Sequence, residues 1–160
     1  MNVIDESYEL AISTRLQRLS EHIRKDGLLI YKSYGVDFEP KWFPVIYTLH
    51  LKQVLSVMDL AHEIGYTHPS TISLLKELEK KKLIRSSRDK TDERKRIIQL
   101  TDKGLELVEQ IKPVWKVITE AITELTQTKN NLMKAINEFE TKMKEESFFQ
   151  RTQRIKNNIN

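Results

Sequence analysis

This 160-residue sequence predicts a mainly α-helical fold with one small β-hairpin, and three observations predict it. Apolar residues recur at three- and four-residue spacings over most of the chain, the period of a helix with one buried face. Two short helical patterns stand back to back around Gly65, each preceded by capping residues. Directly after them, "LIRSSR" and "KRIIQL" are short β-compatible runs on either side of the polar "DKTDE". Apolar residues make up 39% of the chain, enough for a core, and charged residues 31%, which leaves most helices a single face to bury.

The elements follow in order. Tyr8, Ile12, Leu16, Leu19 and Ile23 mark one face of a long helix running to about Tyr34, where Gly35 can supply a left-handed closing residue. "DFEPKWFPVIYTLH" starts a second helix, with Pro40 and Pro44 tolerable only near its first turn. In "SVMDLAHEIG", Ser56 caps and Asp59 stands three residues on, a capping box with Asp in place of Glu; Gly65 ends that helix. After a turn of about three residues, "THPSTISLLKELEKKKLI" resumes, with Thr67 or His68 as cap and Pro69 in the first turn. Ile72, Leu74, Leu75 and Leu78 face inward. The hairpin comes next, and its loop exceeds a two-residue turn, so a mobile, projecting tip is expected. Thr101 caps a further helix with Asp102 in its first turn, and Leu105, Val108, Ile111, Trp115, Ile118, Ile122 and Leu125 continue it. Pro113 should kink it, because the ring cannot donate to the Glu109 carbonyl. A last helix carries Leu132, Ile136, Phe139 and Met143, and the "SFFQ" of Ser147 to Gln150 adds two aromatics to an otherwise polar tail.

Charge is localised. The whole chain carries +4, yet Lys76 to Lys103 alone holds eleven Lys/Arg against six Asp/Glu, a surplus of five that could attract phosphate. The chain has no Cys, which excludes disulfides, a thiolate zinc site and cysteine redox switching. No apolar run approaches the roughly 18 residues of a membrane helix. The N-terminus is acidic where a signal peptide would be basic, so a cytoplasmic protein with no membrane partner is expected. His22, His50, His62 and His68 form no close ligand pair. No Gly-rich phosphate loop, paired catalytic carboxylates or nucleophile elbow appears. Neither enzyme, metal nor cofactor is expected.

A helix-turn-helix followed at once by a charged hairpin is the element order of a winged helix. The residues themselves carry a resemblance. "DLAHEIGYTHPSTISLLKELEKKKLI" followed by "RDKTDERKRIIQLTDKG" resembles the multiple-antibiotic-resistance regulator (MarR) family of bacterial transcription factors. The "DER" of Asp92 to Arg94 and the "LTDKG" of Leu100 to Gly104 are similar to that family's wing signature, and the match spans roughly residues 8 to 145. The resemblance implies a dimerisation helix in residues 1–35, a winged helix-turn-helix DNA-binding core in 36–104 and C-terminal dimerisation helices in 105–160. It also implies that Arg94 is the wing arginine and Asp92 its anchor. Glu93 departs from the pattern, standing where many relatives have a second basic residue.

Physical reasoning leads to the same residues. A helix fits the major groove, where each base pair shows a distinct pattern of donors and acceptors. The outward positions near the start of the second short helix are His68, Ser70, Thr71 and Ser73, beside Pro69, with Lys76 one turn on and Lys80 placed to touch the backbone. The hairpin offers Arg88, Lys90, Arg94, Lys95 and Arg96 to a narrow minor groove, and Asp92 could orient the Arg94 guanidinium. One recognition helix reads few base pairs, so a homodimer spanning about 34 Å on a pseudopalindromic operator is expected, acting as a repressor. The terminal helices would build the dimer; alternatively they fold back on their own core. Members of the resembling family bind small aromatic or phenolic ligands, and Tyr31, Trp42, Phe43, Tyr47 and His50 could line such a cleft. Against that stands an ordinary core and interface role for the same five. Against DNA binding stands a winged helix used for protein contact, its basic wing docking an acidic partner.

Overall fold

The computed structural model describes residues 2–159. Two compact units divide the chain, Met1–Val114 and Trp115–Asn160. In the first, α1 (Val3–Glu6) is capped by the Asn2 side chain, and a 3-10 turn (Tyr8–Ala11) precedes α2 (Ile12–Ser33). The helix expected from Tyr8 therefore starts four residues later. Tyr8 has a φ of 44°, outside the helical range, and the turn after it is tighter than an α-helix. The far end is as expected: Gly35 sits at φ 69°.

A second 3-10 turn (Pro40–Trp42) leads into α3 (Phe43–Lys52), so both prolines occupy first turns, where no N–H is missed. The three-residue strand β1 (Val54–Ser56) is an addition to the expected elements; it is too short to show alternation. Then come α4 (Val57–Ile64), α5 (His68–Lys80), β2 (Ile84–Arg88) and β3 (Arg96–Leu100). The sheet order is β1-β3-β2, antiparallel throughout, with Leu55 opposite Ile98 and Ile84 opposite Leu100. Phe38, Trp42, Ile46, Leu49, Leu60, Leu75, Leu78 and Ile98 are fully buried and form the core beneath α5 and the sheet.

α6 (Asp102–Thr126) runs unbroken through Pro113, and the boundary between the two units falls just after that residue. Its buried side chains in the first unit are Leu107, Val108, Ile111 and Val114; Leu105, expected inward, is half exposed. The second unit holds α7 (Leu132–Glu145) and α8 (Phe148–Ile159). α8 occupies the stretch that reads in sequence as a polar tail. Ser147 and Gln150 cap it reciprocally: the Gln150 N–H donates to Ser147 Oγ at 3.2 Å, and the Ser147 N–H donates to Gln150 Oε1 at 2.8 Å. Among the described residues no helix is long and apolar enough to cross a membrane.

Candidate nucleic-acid interface

The helix-turn-helix is set by its caps. Ser56 Oγ accepts from the Asp59 N–H at 3.1 Å and donates to the Asp59 carboxylate at 2.6 Å, and Gly65 closes α4 at φ 68°. Thr67 caps α5, accepting from the Ser70 N–H at 3.3 Å, and Pro69 fills the first turn. On α5, His68, Pro69, Ser70, Ser73, Lys76 and Lys80 are all exposed, a continuous polar outer face. Thr71 is a correction. It is fully buried, because it precedes Leu74 and Leu75 by three and four residues and so shares their inward face. Its hydroxyl is satisfied by donating to the Thr67 carbonyl at 3.0 Å, and it cannot be a base-reading group in this state.

Two carboxylates that sequence reasoning does not single out hold α5 in place. Glu77 accepts from the buried Trp42 Nε1 at 2.9 Å and pairs with Lys41 Nζ at 2.8 Å. These hydrogen bonds, Lys41 first, hold its carboxyl below the usual glutamate range. Glu79 accepts from Ser86 Oγ at 2.5 Å and from Arg96 Nη2 at 2.6 Å. Burial pushes the Glu79 carboxyl up, but the Ser86 and Arg96 hydrogen bonds and the Arg96 charge outweigh it, and the net shift is downward. At the end of α5, Lys81 Nζ lies 5.5 Å from the Trp42 ring centroid and 3.4 Å from Asp37.

The "LTDKG" segment anchors the base of the hairpin. The Thr101 N–H donates to the Leu83 carbonyl at 3.1 Å, and its hydroxyl donates to the Lys82 carbonyl at 2.6 Å. Thr101 Oγ1 also caps α6 by accepting from the Gly104 N–H at 3.0 Å, as expected, while Lys103 Nζ reaches the Lys81 carbonyl at 3.0 Å. Gly104 is buried against the Leu83 carbonyl oxygen so closely that a Cβ would collide with it.

Arg88, Lys90, Arg94, Lys95 and Arg96 lie on the hairpin at its surface, and Asp92 is half-buried. The loop tip is organised by Asp89, whose Oδ1 accepts from the Thr91 N–H at 2.7 Å, the Thr91 hydroxyl at 2.5 Å and the Asp92 N–H at 3.0 Å. The Thr91 contacts in particular lower its pKa. Asp92 reaches Arg94 through the main chain: its Oδ1 accepts from the Arg94 N–H at 3.1 Å, not from the guanidinium. Asp-x-Thr is an Asx-turn pattern, so the Asp89 role is available from sequence. The Glu79 contacts are not, since they join residues 7 and 17 apart.

The five residues expected to line a ligand cleft differ in burial. Tyr31 and Trp42 are core, joined through Phe38 at ring-centroid distances of 4.6 and 5.7 Å. Phe43 and Tyr47 are partly exposed and stack on each other at 5.0 Å, and His50 is half-buried. Trp42 borders a cleft of about 250 Å³ with Lys81, Leu83 and Lys103, none of them among the five.

Known proteins share this arrangement. The family model "Transcriptional regulator SarA/Rot" matches residues 42–111, which run from Trp42 through the hairpin into α6. An uncharacterised HTH-type transcriptional regulator of Bacillus subtilis, YwaE, is 26% identical over 126 residues, covering 78% of this chain and 72% of that protein. The transcriptional repressor CouR, solved bound to a 23-mer DNA duplex, is 25% identical with a TM-score of 0.63, covering 79% of this chain and 88% of that one. A single-substitution mutant of MarR from E. coli, solved with operator DNA, has a TM-score of 0.63 at 16% identity, covering 88% and 98% of the two chains. Fold, cap pattern, wing signature and relatives agree: the chain has a winged helix-turn-helix fold and is similar to transcriptional regulators of the SarA/Rot and MarR types.

Proposed function

We propose that this chain is a sequence-specific DNA-binding repressor that works as a homodimer on a pseudopalindromic operator. One observation carries the reading: α5 presents an uninterrupted exposed face of His68, Ser70, Ser73 and Lys76 beside a cationic hairpin, while Thr71, Leu74, Leu75 and Leu78 bury the opposite face. His68, Ser70 and Ser73 lie near the helix N-terminus, whose dipole favours phosphate, and the small side chains of the two serines allow close approach to base edges. Lys76 and Lys80 follow along the backbone, and Arg88, Lys90, Arg94 and Lys95 serve the minor groove and flanking phosphates. Glu93, exposed between Asp92 and Arg94, opposes phosphate and tempers wing affinity. Occupying the operator would exclude polymerase, in keeping with the description of CouR as a repressor. Because Tyr31 and Trp42 belong to the core, no ligand site is assigned to the five aromatic and histidine residues.

A mobility shift on the DNA upstream of the chain's own gene tests the reading, with a scrambled duplex as competitor. Specific retardation that survives the competitor is expected. If the dimer neutralises about eight phosphates, log K should fall against log salt with a slope near −7. Retardation removed equally by the scrambled duplex would defeat the proposal and leave the hairpin a cationic surface for an acidic partner.

A further inference from the structure

Glu77 and Glu79 are two residues apart on α5, so they leave the helix roughly 200° apart. Glu77 turns to the scaffold at Trp42 and Lys41. Glu79 turns to the hairpin, where a single oxygen, Oε1, accepts from Ser86 of β2 and Arg96 of β3. One atom in the last turn of the recognition helix therefore touches both strands of the wing. The backbone link between them is a short turn: the Leu83 N–H donates to the Leu78 carbonyl at 3.0 Å, with Lys82 at φ 59°. Besides that turn, the hairpin is held at its base by Thr101 and along β3 by the ladder with β1; Glu79 adds a direct side-chain tie from α5 to both strands. Charge-assisted hydrogen bonds are short, directional and roughly twice as strong as neutral ones.

We propose that Glu79 is a positioning residue for DNA recognition: through Ser86 and Arg96 it fixes the angle between the reading helix and the wing, so that both meet one duplex together. Arg96 then acts through Glu79, not as a phosphate contact of its own. This rests on the DNA-binding reading above. Simple electrostatics gives the opposite sign and so separates the two. A carboxylate near a polyanion repels it, and deleting a bystander Glu tightens binding to every duplex. Deleting a positioning Glu weakens binding to the preferred duplex and spares the rest.

The test uses a duplex enriched from a random pool by the wild-type chain, beside a scrambled duplex of equal length. Glu79→Ala should lose about tenfold in affinity for the enriched duplex, a change worth ~1.4 kcal/mol, and lose nothing on the scrambled one. Arg96→Ala should lose a similar factor alone and nothing further in the Glu79→Ala background, since residues acting as one unit are not additive. Glu79→Gln, which keeps a weaker acceptor, should fall between wild type and Glu79→Ala. Equal or tighter binding of the enriched duplex by Glu79→Ala overturns the proposal, as does a full Arg96→Ala loss in that background. A DNA-free readout stands beside these. The chain has no Cys, so spin labels attach only through Lys76→Cys and Lys90→Cys, and diluting labelled chains with unlabelled ones leaves the within-chain helix-to-wing distance. That distribution should broaden in Glu79→Ala, and an unchanged one overturns the proposal. If wild type enriches no duplex, the DNA-binding reading falls and takes the recognition role of Glu79 with it. The label distance then still reports whether Glu79 holds the wing.

Discussion

Thr71 shows how one residue's role turns on its helical phase. Ser70 and Thr71 look alike as small hydroxyls at a helix start, yet about 100° of rotation puts one in solvent and the other on the face of Leu75. Residue chemistry alone points both at DNA; the inward spacing of Leu74, Leu75 and Leu78, visible in the sequence, is enough to exclude Thr71. Gly104 is the opposite case. Its presence in the "LTDKG" signature is legible, but the reason is not: the first turn of α6 lies hard against the Leu83 carbonyl, leaving no room for a Cβ. Gly104→Ala should therefore cost about 1–3 kcal/mol, the usual penalty for overpacking. In a urea titration the midpoint should drop with the slope unchanged, and a midpoint equal to wild type would mean that α6 shifts freely away from the turn. Asp92 stands between these two. Its two-residue spacing from Arg94 suggests a contact, but the carboxylate fixes the backbone and leaves the guanidinium outside that contact.

Among the elements, those defined by local signals are legible in the sequence and those defined by distant partners are not. Ser56, Gly65, Thr67 and Thr101 announce their helix ends, and all four do in the structure what their chemistry suggests. The cap of α8 is equally local: Ser147 and Gln150 form a Ser-x-x-Gln box, masked by the two aromatics between them. β1 is different, for its three residues become a strand only by pairing with β3. The seating of α5 likewise depends on partners far along the chain, and this gives it a pH signature. Glu77 and Glu79 have carboxyl pKa values lowered by folding, by hydrogen bonds from Lys41 and Trp42 in one case and from Ser86 and Arg96, against burial, in the other. A depressed folded value contributes stability above the unfolded pKa, about 4.3 for Glu, and loses it as pH falls through the folded value. Urea titrations at pH 6 and pH 3.5 should thus show Glu77→Gln losing less stability on acidification than wild type. An identical loss would mean that the ion pair with Lys41 is too solvated to matter.

At the scale of the whole molecule, each unit carries apolar surface that its own core does not cover. Ile12, Leu16, Leu19 and Ile23 of α2 are each about half exposed, and so are Leu132, Phe139 and Met143 of α7. Contiguous exposed apolar stripes of this kind mark interaction surfaces, which is the physical support for the proposed homodimer. Sedimentation at micromolar concentration should give twice the 18.9 kDa chain mass. Leu16→Lys should shift it toward the single chain, at little expense to the buried core. A wild-type chain that sediments as a monomer would sink the proposal of paired half-sites. One small feature bears on how fast such a protein could engage its target. The Asp89 carboxylate gathers three donors from its own loop, so the turn from Asp89 to Asp92 gives up part of its conformational freedom when the chain folds. Under the proposed DNA-binding function, less ordering is then left for the moment of contact, and the wing's cations meet the duplex from a turn already formed.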